Sequence, residues 1–224
     1  MKGLAMPMCL IVTAQELRRA LGDPLCTETI DCTLAEIEHD FLKPELRCVL
    51  ETVGPEGEFL DTFDGRMVCP GHALEVGWFI LEEARLRQRD PRLIQLGTKI
   101  VDWSFEIGWD REYGGILYYR DARGLPCTEY WQDMKFWWPH NEAIIACLLA
   151  WLLAMAAGRG ALAGLALVAL GWYLVRLYYG LETSLLGKGL ALMATGAVLV
   201  CLQFGLRRLS RPPGLAATAG DIHA

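Results

Sequence analysis

His72 and Glu75 stand three residues apart in the segment Cys69-Pro-Gly-His-Ala-Leu-Glu-Val-Gly-Trp78. On a helix that spacing puts an imidazole and a carboxylate on one face. A carboxylate beside a histidine fixes its tautomer and raises its basicity, which is what a proton-abstracting base needs. A histidine satisfied at a helix start explains the same residues without any chemistry. A second segment, Asp133-Met-Lys-Phe-Trp-Trp-Pro-His-Asn-Glu142, sets Trp137 and Trp138 before a proline-started helix whose first turn carries His140, Asn141 and Glu142. Aromatic faces beside hydrogen-bonding groups suit a sugar, and the competing reading buries one of the tryptophans in the core. The third segment, Gly108-Trp-Asp-Arg-Glu-Tyr-Gly-Gly115, reads as a shaped loop with a structural role.

The elements that must position these residues are mostly helical. Residues 6 to 21 read as a core helix with Pro7 in its first turn, although Lys2 and the apolar stretch from Leu4 to Val12 imitate a short signal peptide. Thr33-Leu-Ala-Glu36 reads as a capping box opening a helix that continues through Leu34, Ile37 and Phe41 until Pro44. Val49, Leu50 and Val53, the turn Gly54-Pro-Glu-Gly57 and then Phe59-Leu60 suggest a hairpin. Helices are expected from His72 to about Arg87 and, capped by Asp90-Pro91, to about Glu106. A short aromatic strand should follow the glycine loop, close with the turn Asp121-Ala-Arg-Gly124, and lead to a helix from Pro139 into Ala157.

The 224 residues carry 21 Lys and Arg against 27 Asp and Glu, a net charge of −6, which excludes a nucleic-acid partner bound through a basic surface. The charge is unevenly placed: residues 1 to 143 hold 15 basic and 25 acidic groups, residues 144 to 224 only 6 and 2. The chain therefore has an acidic, water-compatible part and an apolar part. Its eight cysteines form no CxxC pair and no finger spacing, so they read as reduced, mostly buried thiols without a metal or disulfide role.

The three segments, in this order, resemble the N-acylglucosamine 2-epimerase family, also called renin-binding protein, over residues 1 to about 150. The resemblance implies an all-α fold, a partial (α/α)6 barrel with short β-hairpin insertions over residues 1–157. It implies interconversion of N-acylglucosamine and N-acylmannosamine by removing the C2 proton of the open-chain sugar and returning it on the other face. The C1 aldehyde makes that proton acidic, and the chemistry needs an acid and a base within hydrogen-bond reach. By motif position, His72 is implied as one acid/base histidine with Glu75 orienting it. Glu142 is implied as a substrate-contacting carboxylate, with Trp138, His140 and Asn141 in the same substrate-binding motif. The implied partner is an amino sugar; no cofactor is required, and a nucleotide effector of the kind the family takes is compatible with the resemblance.

The sequence also departs from the family. Cys69 stands where the family usually has Asn, and the Phe-His-x-Pro-Arg segment that bears its second catalytic histidine has no counterpart; the other histidines are His39, His140 and His223. The early helices that supply a substrate-binding Arg are missing too. The expectation is an incomplete epimerase, weakly active or inactive as this chain. The alternatives are a non-catalytic membrane-anchored interaction module, or a fused or truncated reading frame. An incomplete toroid exposes apolar helix faces through which copies of the chain would associate.

Residues 160 to 175 and 189 to 206 carry no charge, and each run is near the length that crosses a bilayer. They are expected to form a transmembrane helical hairpin (residues 158–211) with Trp172, Tyr173, Tyr178 and Tyr179 at the interface, followed by a flexible tail (212–224). Arg159 before it and Arg207, Arg208 and Arg211 after it place both ends, and the acidic part, on the cytoplasmic side of an inner membrane; a wholly cytoplasmic chain is the alternative. This part is weakly similar to the C-terminal end of a bacterial multi-span membrane family of unknown function. Residues 143 to 158 are read as an inner barrel helix rather than a third span.

Overall fold

The computed structural model describes residues 1–156 and residue 171. The backbone divides into two units, Met1–Gly171 and Trp172–Ala224, and the described residues belong to the first. The expected membrane hairpin and tail lie outside the described residues.

Five helices dominate: α1 (Ala5–Leu21), α2 (Pro24–Glu36), α3 (Pro70–Leu86), α4 (Pro91–Gly108) and α5 (Trp137–Ala156). Three two-residue antiparallel ladders tie their connections together. They pair β1 (Lys2–Gly3) with β4 (Thr52–Val53), β2 (Leu42–Lys43) with β3 (Cys48–Val49), and β5 (Met67–Val68) with β6 (Arg120–Asp121).

The helix starts follow local chemistry. Asp23 and Asp90 each cap a helix through the backbone N–H two residues on, and Pro24 and Pro91 occupy the first turn, where a missing N–H costs nothing. Helix α4 buries Leu93, Leu96, Ile100, Val101 and Trp103 at helical spacing, so one stripe faces the core. Helix α3 is buried nearly all round because it is central: it packs against α1, α4 and α5. Leu74 and Leu81 on α3 and Val101 on α4 meet Ala143, Ala146, Leu149 and Leu153 on α5, one of two clusters that form the core. The other gathers α1, α2 and the strands around Ile11, Ile30, Phe41 and Leu50.

Two expectations are corrected. The Thr33–Glu36 capping box opens nothing, because α2 is already running from Pro24; Thr33 is buried and its hydroxyl donates to the Thr29 carbonyl one turn back. The helix ends instead in a π turn, Ile37–Phe41. The Gly54–Gly57 turn forms, with Gly54 N–H donating to the Glu58 carbonyl at 2.9 Å, but Phe59-Leu60 is not a strand. The strands flanking that turn find distant partners, β4 pairing with the chain's second and third residues. The local hairpin is β2–β3, one step earlier, through a turn in which Arg47 takes φ 50°.

Helix α5 is long and apolar enough to cross a membrane. One face of it packs on α3 through the second core cluster, and the rest of its surface is half-buried or exposed. The cysteines are less uniformly buried than expected: Cys26, Cys48 and Cys69 are buried, while Cys9 and Cys32 are exposed.

Candidate active site

His72 lies in the first turn of α3, behind Pro70 and Gly71, which keep the entrance to the helix compact. A Cβ on Gly71 would stand 2.6 Å from the Trp138 ring and 3.1 Å from Pro139, so only glycine lets the starts of α3 and α5 approach this closely. The Trp138 ring stacks obliquely on the His72 imidazole, centroids 5.2 Å apart. Tyr118 closes the same wall, edge-on to Trp138 at 6.2 Å and to Phe136 at 4.7 Å.

The carboxylate that holds His72 is Glu51. Its two oxygens each lie 3.0 Å from His72 Nδ1, so the ring donates a shared hydrogen bond from that nitrogen. Glu51 sits between β3 and β4, where its carbonyl accepts from Leu4 N–H and its own N–H donates to the Met67 carbonyl. Burial disfavours a charged imidazole, but hydrogen bonding and charge from Cys69 and Glu51 outweigh it and raise the His72 pKa from 6.5 to about 11. The Glu51 carboxylate therefore favours the imidazolium form of the ring.

Glu75, expected to orient His72, acts on it through charge, while the hydrogen bond belongs to Glu51. Burial first, and then the nearby Glu142 carboxylate, push the Glu75 pKa up against the opposing pull of His72. Glu142 accepts a 2.6 Å hydrogen bond from the Trp78 indole, which links the two sequence segments across α3 and α5. The structure therefore gathers His72, Glu75, Trp138 and Glu142 in one place.

His140 is built differently. The Ile116 N–H can only donate, so Nε2 must accept it at 3.0 Å, and the proton on Nδ1 is then given to the Phe136 carbonyl at 2.7 Å. Nδ1 thus closes back on the residue before the helix, while Nε2 ties the end of the glycine loop to α5. Gly115, at φ 91°, makes that possible, since a Cβ there would meet His140 Nε2 at 2.8 Å. Asn141 and Trp137 are exposed, Trp137 by 75%, so the packed tryptophan of the pair is Trp138.

The glycine loop is held from within, as expected. Asp110 accepts from Glu112 N–H and Tyr113 N–H and pairs with Lys135 at 2.5 Å. Those bonds, the one to Lys135 foremost, bring its pKa down to about 2. Sequence reasoning missed Glu51 and Tyr119. Tyr119 is kept protonated by burial, by a hydrogen bond to Tyr118 and by the charges of Cys69 and Glu51. Glu51 gave no local signal, because it reaches His72 only through strand pairings that join segments far apart in sequence.

A histidine held by a carboxylate, with two further carboxylates and an aromatic wall nearby, brings together the groups that proton transfer and sugar stacking require. The chain is 46% identical over 104 residues to N-acylglucosamine 2-epimerase of Mus musculus (46% of this chain, 25% of that one). It is 37% identical over 154 residues to that of Bos taurus (67% and 36%). The chain thus spans about a quarter to a third of the length of the curated relatives it matches. In three dimensions it is similar to a D-mannose isomerase (TM-score 0.58, 18% identity, 76% of this chain and 43% of that one). A sugar epimerase from a ruminal bacterium is similar as well (TM-score 0.57, 14% identity, 76% and 41%). These likenesses place the fold in the (α/α)6 barrel class of sugar epimerases and isomerases, of which the described helices are a part. With the family profile matching residues 23–176, more than half of the chain, the chain belongs to the N-acylglucosamine 2-epimerase family.

Proposed function

We propose that the chain exchanges the C2 proton of an open-chain N-acylglucosamine or N-acylmannosamine, with His72 as the proton carrier. The observation that carries this reading is the His72 imidazole held at 3.0 Å by both Glu51 oxygens under the Trp138 ring, with Glu75 and Glu142 close by. Trp138 supplies an aromatic face for the sugar, and Glu142 a carboxylate for its hydroxyls. After the ring gives up its extra proton to solvent, neutral His72 takes the proton from C2; the C–H electron pair becomes the C1–C2 double bond and the C1 carbonyl pair moves onto oxygen, giving an enolate whose charge sits on the C1 oxygen. The imidazolium so formed then returns a proton to C2.

Among the described residues only His72 is assigned as a proton carrier, so removal and return by that group occur on one face. The expected outcome is exchange with solvent and little net epimerisation. The test is to incubate the folded full-length chain with each sugar in D2O and follow the C2 proton by NMR. Exchange that is lost in His72→Ala supports the reading. A folded chain that exchanges nothing removes it, and exchange undiminished in His72→Ala reassigns the proton carrier.

A further inference from the structure

We propose that Glu51, Cys69 and His72 form a binding site for a soft divalent cation of the zinc class. The site shares His72 with the proposed sugar chemistry but does not depend on it. The carboxylate, thiol and imidazole donor atoms all lie within 4.8 Å of one another. Four-coordinate zinc holds sulfur at about 2.3 Å and nitrogen or oxygen at about 2.0 Å, which separates ligand atoms by roughly 3.3–3.8 Å. The three donors need to move by an ångström or less, which rotation of their side chains supplies.

The backbone beneath each donor is fixed separately. Glu51 is bonded through its main chain to Leu4 and Met67. Cys69 follows the β5–β6 ladder directly and caps α3, with its carbonyl accepting from Ala73 N–H at 3.0 Å. His72 is anchored in the first turn of that helix. Cys69 is fully buried, whereas the His72 side chain keeps 26% of its exposure and that of Glu51 12%. An ion can therefore reach the cluster from the imidazole side and keep a fourth position for water.

The donor set decides the ion. A thiolate and an imidazole favour zinc and its neighbours over magnesium or calcium, which take oxygen ligands. One thiolate and one carboxylate also match the charge of a divalent ion, so a neutral complex forms in a half-buried place. Metal on Nδ1 takes the position where His72 now meets Glu51, so a bound ion withdraws His72 from proton transfer. Zinc should then act as an inhibitor of any exchange at C2.

The metal-free, reduced full-length chain is titrated with Co2+, which reports a thiolate ligand through a charge-transfer band in the near ultraviolet. We expect one equivalent to bind with that band, Zn2+ to displace it, and Mg2+ to leave it unchanged. Cys69→Ser and His72→Ala should each weaken binding by about 100-fold or more, at least what an outer-shell partner alone costs. Cys48→Ser, which removes another buried thiol, should not. Absence of Co2+ binding, or a band that survives in Cys69→Ser, overturns the proposal. Should the variants fail to fold, X-ray absorption of the wild-type zinc complex decides: one sulfur with nitrogen and oxygen neighbours supports it, and a shell with no sulfur, or with two or more, refutes it. Because none of these readouts uses a sugar, they stand apart from the exchange assay.

Discussion

Replacing Glu51 by Gln keeps the shape of the contact with His72 and removes its charge. At 3.0 Å and an effective dielectric of about 20, the Coulomb attraction between imidazolium and carboxylate is about 5 kcal/mol before solvent competes. Partial exposure of both side chains screens this, and a net value of about 2 kcal/mol is typical of a hydrogen bond between charged groups. That corresponds to a fall of about 1.5 units in the His72 pKa. Titration of the histidine ring resonances by NMR, with His72 assigned by its Ala variant, measures it directly. The pH profile of C2 exchange should move down by the same amount, because the neutral imidazole that abstracts the proton becomes available at lower pH. The sign for stability follows as well. The folded pKa of His72 lies above its unfolded value, so the pair stabilises the fold fully below about pH 6.5 and loses this contribution as pH rises toward 11. The stability gap between wild type and Glu51→Gln should therefore close at alkaline pH. A His72 midpoint that stays within about 0.3 units of wild type would refute the assignment of Glu51, beside Cys69, as a partner that raises it.

Three further outcomes are expected. Glu83 is fully buried and bonded to Arg18, Arg87 and Gln15, joining α1 to α3; Glu83→Ala strands those cations and should cost about 3–5 kcal/mol in urea denaturation. Burial raises the Glu83 pKa, but its three partners outweigh burial and lower it. Its contribution is thus present above about pH 4.5 and is lost as pH falls through the folded value. Gly71→Ala forces a methyl against the Trp138 ring and should cost about 1–3 kcal/mol, with altered tryptophan fluorescence and weaker exchange; unchanged emission would contradict the close approach. Trp138→Ala should cost about 2–3 kcal/mol while Trp137→Ala stays within about 0.5 kcal/mol, and equal losses in thermal unfolding would undo the distinction between packed and exposed indoles.

Much of the helical frame was legible because its signals are local. Asp90-Pro91 announces α4 by a cap and a fixed φ, and Pro70 does the same for α3 without a side-chain cap. Helical spacing set His72 beside Glu75 and Trp138 beside Glu142, but their reading as a site came from the family resemblance, and the hydrogen bond to His72 comes from Glu51. The failures share a cause. Thr33 looked like a cap because a hydroxyl three residues before a glutamate fits that pattern, yet the same hydroxyl bonds equally well to the carbonyl one turn back inside a running helix. The two-residue ladders have too few residues to show an alternating pattern, and two of the three join segments about 50 residues apart. Glu51 was invisible as a site residue for that reason, and His140 looked like a ligand because the Ile116 N–H that occupies it belongs to another segment.

The β5–β6 ladder is backed by the buried Arg66–Asp121 ion pair, whose partners are 55 residues apart, and together they enclose all of α3 and α4. Those two helices therefore form a lariat knotted at its base, just beside the thiol. The far corner of the lariat, where Gln88 and Arg89 take positive φ and stand exposed, is the place to insert a fluorophore or an affinity handle. Inserted chain would leave from the loop's tip, and the knot would keep its disturbance from reaching the imidazole.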